Sequence, residues 1–211
     1  MLLVVPLVGF LFGFVGSMPV AGPVSILVLE RGLSRRYRSG LWLAAGAAVA
    51  ESVYAFLAFF GLAALLARYP AIVPVSQALG AVILAVLGLG LLRRHRPHED
   101  DGAKRPAPHG DAVLGFTITA LNPTFIATWT AAVTALYGSG LVPPRASLAL
   151  PFSISVCVGI VAWFAVLLAL VRRFGARMSQ RTINAAVRVM GIVLLGLAVW
   201  FAVRFAQYLA R

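Results

Sequence analysis

GPVSILVLERGLSRRYRSGL occupies residues 22–41, and NPTFIATWTAAVTALYGSGL occupies residues 122–141. Set against each other at an offset of 100, they share Pro23/Pro123, Ile26/Ile126, Tyr37/Tyr137, Ser39/Ser139, Gly40/Gly140 and Leu41/Leu141. Each copy opens on a proline inside a long apolar run. Proline in a helix interior removes a hydrogen bond and clashes with the preceding turn, and it pushes the residue before it out of helical geometry. As the first residue of a new helix it is favourable, with Gly or Asn ahead of it as a cap. Gly22-Pro23 and Asn122-Pro123 therefore read as matched starts of half-helices inside longer spans.

The composition around these breaks names the solvent. Of the 211 residues, 61% are hydrophobic and 11% are charged; an ordinary soluble domain is roughly 25% charged. A chain of this size has too much surface to hide that much apolar area from water, which excludes a disordered protein and argues against a soluble enzyme. Six stretches reach the roughly 20 apolar residues that cross a bilayer: about 3–29, 41–67, 73–92, 113–136, 148–171 and 185–207. The expected fold is all-α, a polytopic membrane protein with six transmembrane helices. Three spans per repeat is an odd number, so the second repeat is inverted relative to the first, an arrangement typical of transporters. The first three-helix repeat is expected over 1–92, a cytoplasmic linker over 93–112 and the second three-helix repeat over 113–211.

The net charge of +12 reads as topology. Arg31, Arg35, Arg36 and Arg38 fall in one connection, five Arg and Lys residues in the 93–105 stretch, and Arg172, Arg173, Arg177, Arg181 and Arg188 in a third. That places 14 of the 18 cations on one side, which the positive-inside rule assigns to the cytoplasm. Both termini are then extracytoplasmic, in the inner membrane of the cell. No basic n-region precedes the first apolar run, so a cleaved signal peptide is not expected. No aromatic–basic interleaving supports nucleic acid as a partner. The single cysteine, Cys157, excludes an intramolecular disulfide and a multi-cysteine metal site. His95, His98 and His109 share the linker, where nothing fixes a ligand geometry; no metal or other cofactor is expected.

Charges inside spans are the strongest functional signal. Glu51 lies about ten residues into span 2, roughly 15 Å along the helix. A charge there costs about 2.5–3.5 kcal/mol on insertion scales, so it needs a partner or a wet cavity. Small residues around it (Gly46, Ala47, Ala48 and Ala50) turn it toward the protein interior. Glu30 borders Arg31 at a span end and reads as an interfacial ion pair. The positive ends of two half-helices at Pro23 and Pro123 make a place for a carboxylate, with Gly22, Ser25 and Asn122 beside them. Span 4 adds two threonine stripes, Thr117, Thr124 and Thr128 on one face and Thr119, Thr130 and Thr134 on another; threonine in a helix commonly bonds its own backbone instead. Trp129 and Trp163 read as packing residues. Gly9-xxx-Gly13 is a helix-contact motif, open to use within the chain or in a homodimer. No Walker loop, GxSxG, HExxH or dinucleotide fingerprint is present, so the chain is not expected to be an enzyme.

GPVSILVLERGLSRRYRSGLWLAAGAAVAES (22–52) and LNPTFIATW (121–129) resemble the lysine exporter (LysE/RhtB-type) family of amino-acid efflux proteins. The first stretch is similar to that family's PGP-plus-apolar run, basic loop and small-residue second helix, and the second to its LNPK segment. The resemblance implies proton-coupled secondary export of amino acids or related small metabolites out of the cytoplasm. The helix breaks, the acid in span 2 and the threonines beside Pro123 together give an expected substrate site over Gly22, Pro23, Ser25, Glu51, Asn122, Pro123, Thr124 and Thr128. Three positions depart from the family pattern: Val24 stands where Asn is usual, Glu51 where Asp is usual, and Thr124 where Lys is usual. Two alternatives stay open, a cation exporter of related fold and a non-transporting membrane scaffold or accessory subunit.

Overall fold

The computed structural model describes residues 4–18, 22–60, 72–93, 108–122, 124–138, 145–175 and 180–210. Among these there is no strand. The helices are α1 (Val4–Gly16), α2 (Pro23–Leu33), α3 (Tyr37–Phe59), α4 (Ile72–Arg93), α5 (Pro108–Ala120), α6 (Thr124–Gly138), α7 (Ala149–Gly175, entered through a 3₁₀ turn at Ala146–Leu148) and α8 (Gln180–Leu209). Three of the six expected spans are single helices long and apolar enough to cross a membrane: Tyr37–Phe59, Ala146–Phe174 and Val187–Leu209. The fourth is a bent pair, His109–Ala120 with Thr124–Tyr137, turned by 68° at the break. For the first and third, the described residues hold shorter apolar helices, Val4–Gly16 and Gln77–Arg93. Residues 61–71, inside and after the second expected span, lie outside the described residues, as do His95 and His98. α5 begins at Pro108, within the stretch expected to be linker.

Side chains facing away from the protein are apolar: Leu7, Val53, Val82, Val86, Ile154 and Val199 are all about half exposed or more. That surface suits lipid and does not suit water. In lipid the tails are as apolar as leucine, so helices gain little by simple burial and associate through close backbone contact at small residues. Three crossings follow this rule. On α3 and α5, a Cβ on Gly46 would run into the carbonyl oxygen of Ala112, and one on Gly115 into that of Leu43. On α1 and α7, Gly13 faces the carbonyl of Val156, and Gly159 that of Phe10. Gly88 and Gly191 meet on α4 and α8, where a Cβ on either would lie within 3.0 Å of the other's carbonyl oxygen. Gly9 and Gly13 thus pack against α7 within the chain, which takes away the sequence argument for a homodimer through them.

α2 is the centre of this assembly. Ten of its 11 residues are buried, and it touches α3, α5, α7 and α8. A helix apolar all round belongs in a core, and only Ser25, Glu30 and Arg31 break that pattern. α2 ends in a tight reversal in which the Arg36 N–H donates to the Arg31 carbonyl (2.7 Å) and the Arg35 N–H to that of Gly32 (3.0 Å). This is a Schellman cap, whose left-handed residue is usually glycine. Here it is Arg35, at φ 57, a conformation that costs a side-chain-bearing residue roughly 1–2 kcal/mol.

Gly46→Ala is expected to destabilise the protein by about 1–3 kcal/mol through overpacking, read as a lowered melting temperature in detergent. Gly90→Ala, where nothing lies within 4 Å, should leave it unchanged. Arg35→Gly should raise stability by about 1 kcal/mol by relieving the left-handed residue.

Candidate functional site

The two helix breaks expected from the prolines meet in one place. Gly22 precedes α2 in extended geometry (φ −90, ψ 159) and Pro23 is the first helical residue, with the Ile26 N–H closing the first turn on the Gly22 carbonyl (3.1 Å). In the second break, the Asn122 Oδ1 accepts from the Thr124 N–H (3.1 Å) and from the Thr124 hydroxyl (2.7 Å). This is a side-chain N-cap on α6. Pro123 itself lies outside the described residues. Pro23 and Asn122 line one cavity, walled otherwise by Gly80, Ile83 and Leu84 of α4, Ile118 and Leu121 at the end of α5, and Phe201 of α8. Its volume is about 10 Å³, room for about one water. Gly80 keeps it open: a Cβ there would press on the Phe201 ring at 3.0 Å.

The first residue of α2, Pro23, lines this cavity. The first N–H groups of any helix have no intrahelical acceptor, and the helix dipole adds positive potential there. Around the second break the opposite group is satisfied. The Tyr54 hydroxyl donates to the carbonyl of Ala120 at 2.6 Å, which settles one of the orphan carbonyls where α5 stops.

Glu51 lies elsewhere. On α3, one turn before Tyr54, its Oε1 accepts from the Trp129 Nε1 at 3.3 Å, and it is not among the residues lining the cavity. Trp129 is buried and stands edge-on to Phe152, ring centroids 6.2 Å apart. The expectation that Trp129 only packs is therefore incomplete: it is also the hydrogen-bond partner of the acid in span 2. Ser25 is buried on the first turn of α2 without lining the cavity. Thr124 spends its hydroxyl on Asn122. Thr128 is exposed and donates to the Thr124 carbonyl at 2.9 Å, as Thr134 does to Thr130 at 2.7 Å, so these two bond their own helix. The structure thus gathers Gly22, Pro23, Asn122 and Thr124 around the breaks, and sets Glu51 apart with Trp129.

A second polar group was only half legible. Glu30 does pair with Arg31, Nη1 to Oε2 at 2.7 Å, and at 2% exposure it is buried inside the protein. Ser34 donates to its other oxygen at 3.2 Å, and Arg31 reaches on to Asp111 of α5, Nη2 to Oδ1 at 3.5 Å. Asp111 ends a run of charges that reads as a solvated loop, and nothing local marks it as buried.

The sequence matches the family model for the LysE type translocator over residues 14–204. Among curated proteins, it is 32% identical over 119 residues to the leucine efflux protein of Klebsiella pneumoniae subsp. pneumoniae, covering 56% of each chain. It is 30% identical over 83 residues to the leucine efflux proteins of Salmonella choleraesuis and Salmonella typhimurium, covering 39% of each. The matched region is thus a little over half the length of the first of these relatives and less of the others. No solved structure matches the chain. With apolar helices long enough to cross a bilayer and a match that takes in both helix breaks, this chain is a multi-pass membrane protein that belongs to the LysE type translocator family.

Proposed function

We propose that this chain is a secondary exporter of neutral amino acids with apolar side chains, of which leucine is the first to test. The observation that carries this reading is the shared cavity: a helix N-terminus at Pro23 and the capping residue Asn122 approach the same small space from different halves of the chain. A substrate carboxylate would sit against the first turn of α2. Because the Asn122 Oδ1 is committed to capping α6, its amide Nδ2 is the group left to donate to the carboxylate. Ser25 would assist from the same turn. Glu51, set off the cavity on Trp129, suits a proton carrier better than a direct ligand for the ammonium, and it would couple export to the proton gradient. The apolar cavity walls and the leucine efflux proteins among the relatives favour an apolar side chain.

The architecture in this reading is two inverted three-helix repeats that rock against each other. What supports it is the pattern of packing. α1 lies on α7 and α3 lies on α5, and these are the same pair if the two halves are exchanged; α4 on α8 is its own counterpart. The basic connections would face the cytoplasm and both termini the outside of the inner membrane, by the charge argument.

The test is efflux from cells loaded with leucine by feeding a leucine dipeptide. Expression of the wild type should lower internal leucine, and Glu51→Gln, accumulated to the same level in the membrane, should not. Equal export by both would leave transport standing and return Glu51 to a structural role. No export by either would remove the amino-acid reading. Asn122→Ala should weaken apparent affinity for the exported amino acid roughly ten- to a hundredfold, the loss of about 1.5–3 kcal/mol for a hydrogen bond to a charged group.

A further inference from the structure

α2 and α5 come from different halves of the chain and run antiparallel between two polar ends. At one end Pro23 and Asn122 line the cavity. At the other, two to three turns away, Arg31 reaches from the last turns of α2 to Asp111 in the first turn of α5. By helical register Asp111 and Ile118 share one face of α5, and Ile118 lines the cavity together with Asn122. Between the cavity and the end that carries Arg31, α2 and α5 touch and are bridged by the Arg31–Asp111 contact.

The pair at that end is unlike one built for stability. Both side chains are at least nine-tenths buried, where ion pairs seldom repay their desolvation. Arg31 is divided between two acids, with the closer contact to Glu30 on its own helix and the longer, 3.5 Å, to Asp111 across the gap. Its Nε is buried with no partner among the described residues. Four residues on, the chain turns through Arg35 in left-handed geometry, and backbone strain of this kind gathers at elements that switch. Together these features describe a weak cross-helix contact that can part while Arg31 keeps Glu30, provided that parting lets water reach the Asp111 carboxylate.

We propose that Arg31 and Asp111 form the gate between the cavity and the basic face of the protein, closed here, and that its opening parts α2 from α5 while Glu30 holds the arginine. The proposal rests on the reading of the cavity as a substrate site, and the test separates the two. In a Cys157→Ser background, Ile118→Cys reports access to the cavity through its rate of reaction with a membrane-impermeant maleimide, applied to inverted vesicles and to intact cells. Asp111→Asn should raise that rate about tenfold or more from the face carrying Arg31, as the closed population gives way to the open one, and leave the opposite face unchanged. Asp111→Glu should label at the wild-type rate. Arg31→Lys keeps the charge but loses the fork that spans two acids, and should raise the rate from the same face several-fold; it carries the test if Asp111→Asn does not accumulate. A wild-type rate in both variants overturns the gate, and so does a rise that is equal from both faces. Leucine efflux is followed in the same cells. If the wild type exports none while Asp111→Asn still opens, the gate stands and the amino-acid reading falls. If the wild type exports leucine and labelling never changes, transport stands and the gate falls.

Discussion

A helix that begins inside a membrane protein leaves N–H groups that neither a preceding turn nor the lipid can satisfy. α2 is such a helix. It starts at Pro23, is buried on almost every side, and touches four other helices. Its start therefore fixes where a polar space has to be kept, and its end fixes where Glu30 and Arg31 have to find partners. The remaining helices are arranged so that both needs are met: α4, α5 and α8 wall the cavity at one end, and α5 returns at the other to bring Asp111 to Arg31.

That arrangement depends on close approach. Lipid supplies no general hydrophobic force between helices, so glycines set the distances. Gly46 and Gly115 let α3 lie on α5, and this crossing is what brings Tyr54 within reach of Ala120. A crossing even slightly wider would lose that hydrogen bond, since its strength falls steeply with distance and angle. Packing and polar chemistry in this protein are therefore one design.

The local signals were legible because they are local. Gly22-Pro23 and the Asn122 cap follow from covalent geometry and a single turn of backbone, and both helix breaks fall where proline demands them. The long helices α3, α7 and α8 follow from hydropathy alone. What could not be read were the meetings between distant segments. Trp129 looks like any apolar residue at depth, and only the packing of α6 on α3 turns its indole into the donor for Glu51, 78 residues earlier. Asp111 stands among solvated charges in sequence, and its burial is decided by an arginine 80 positions away. Thr128 shows the opposite case: its place on a stripe beside Pro123 suggested a substrate residue, but a hydroxyl one turn from a carbonyl finds its own helix first.

A cavity that holds about one water cannot admit a molecule the size of an amino acid without moving its walls. The closed packing of α2, α4, α5 and α8 is thus the competitor of every ligand. The apparent affinity of any ligand is its intrinsic affinity reduced by the fraction of molecules that are open. Weak binding at equilibrium would then say little about how well the contacts fit. Substitutions far from the cavity that merely loosen its walls would tighten binding without touching the ligand, and in an exporter, which must release its cargo on every cycle, that tightening is a disadvantage.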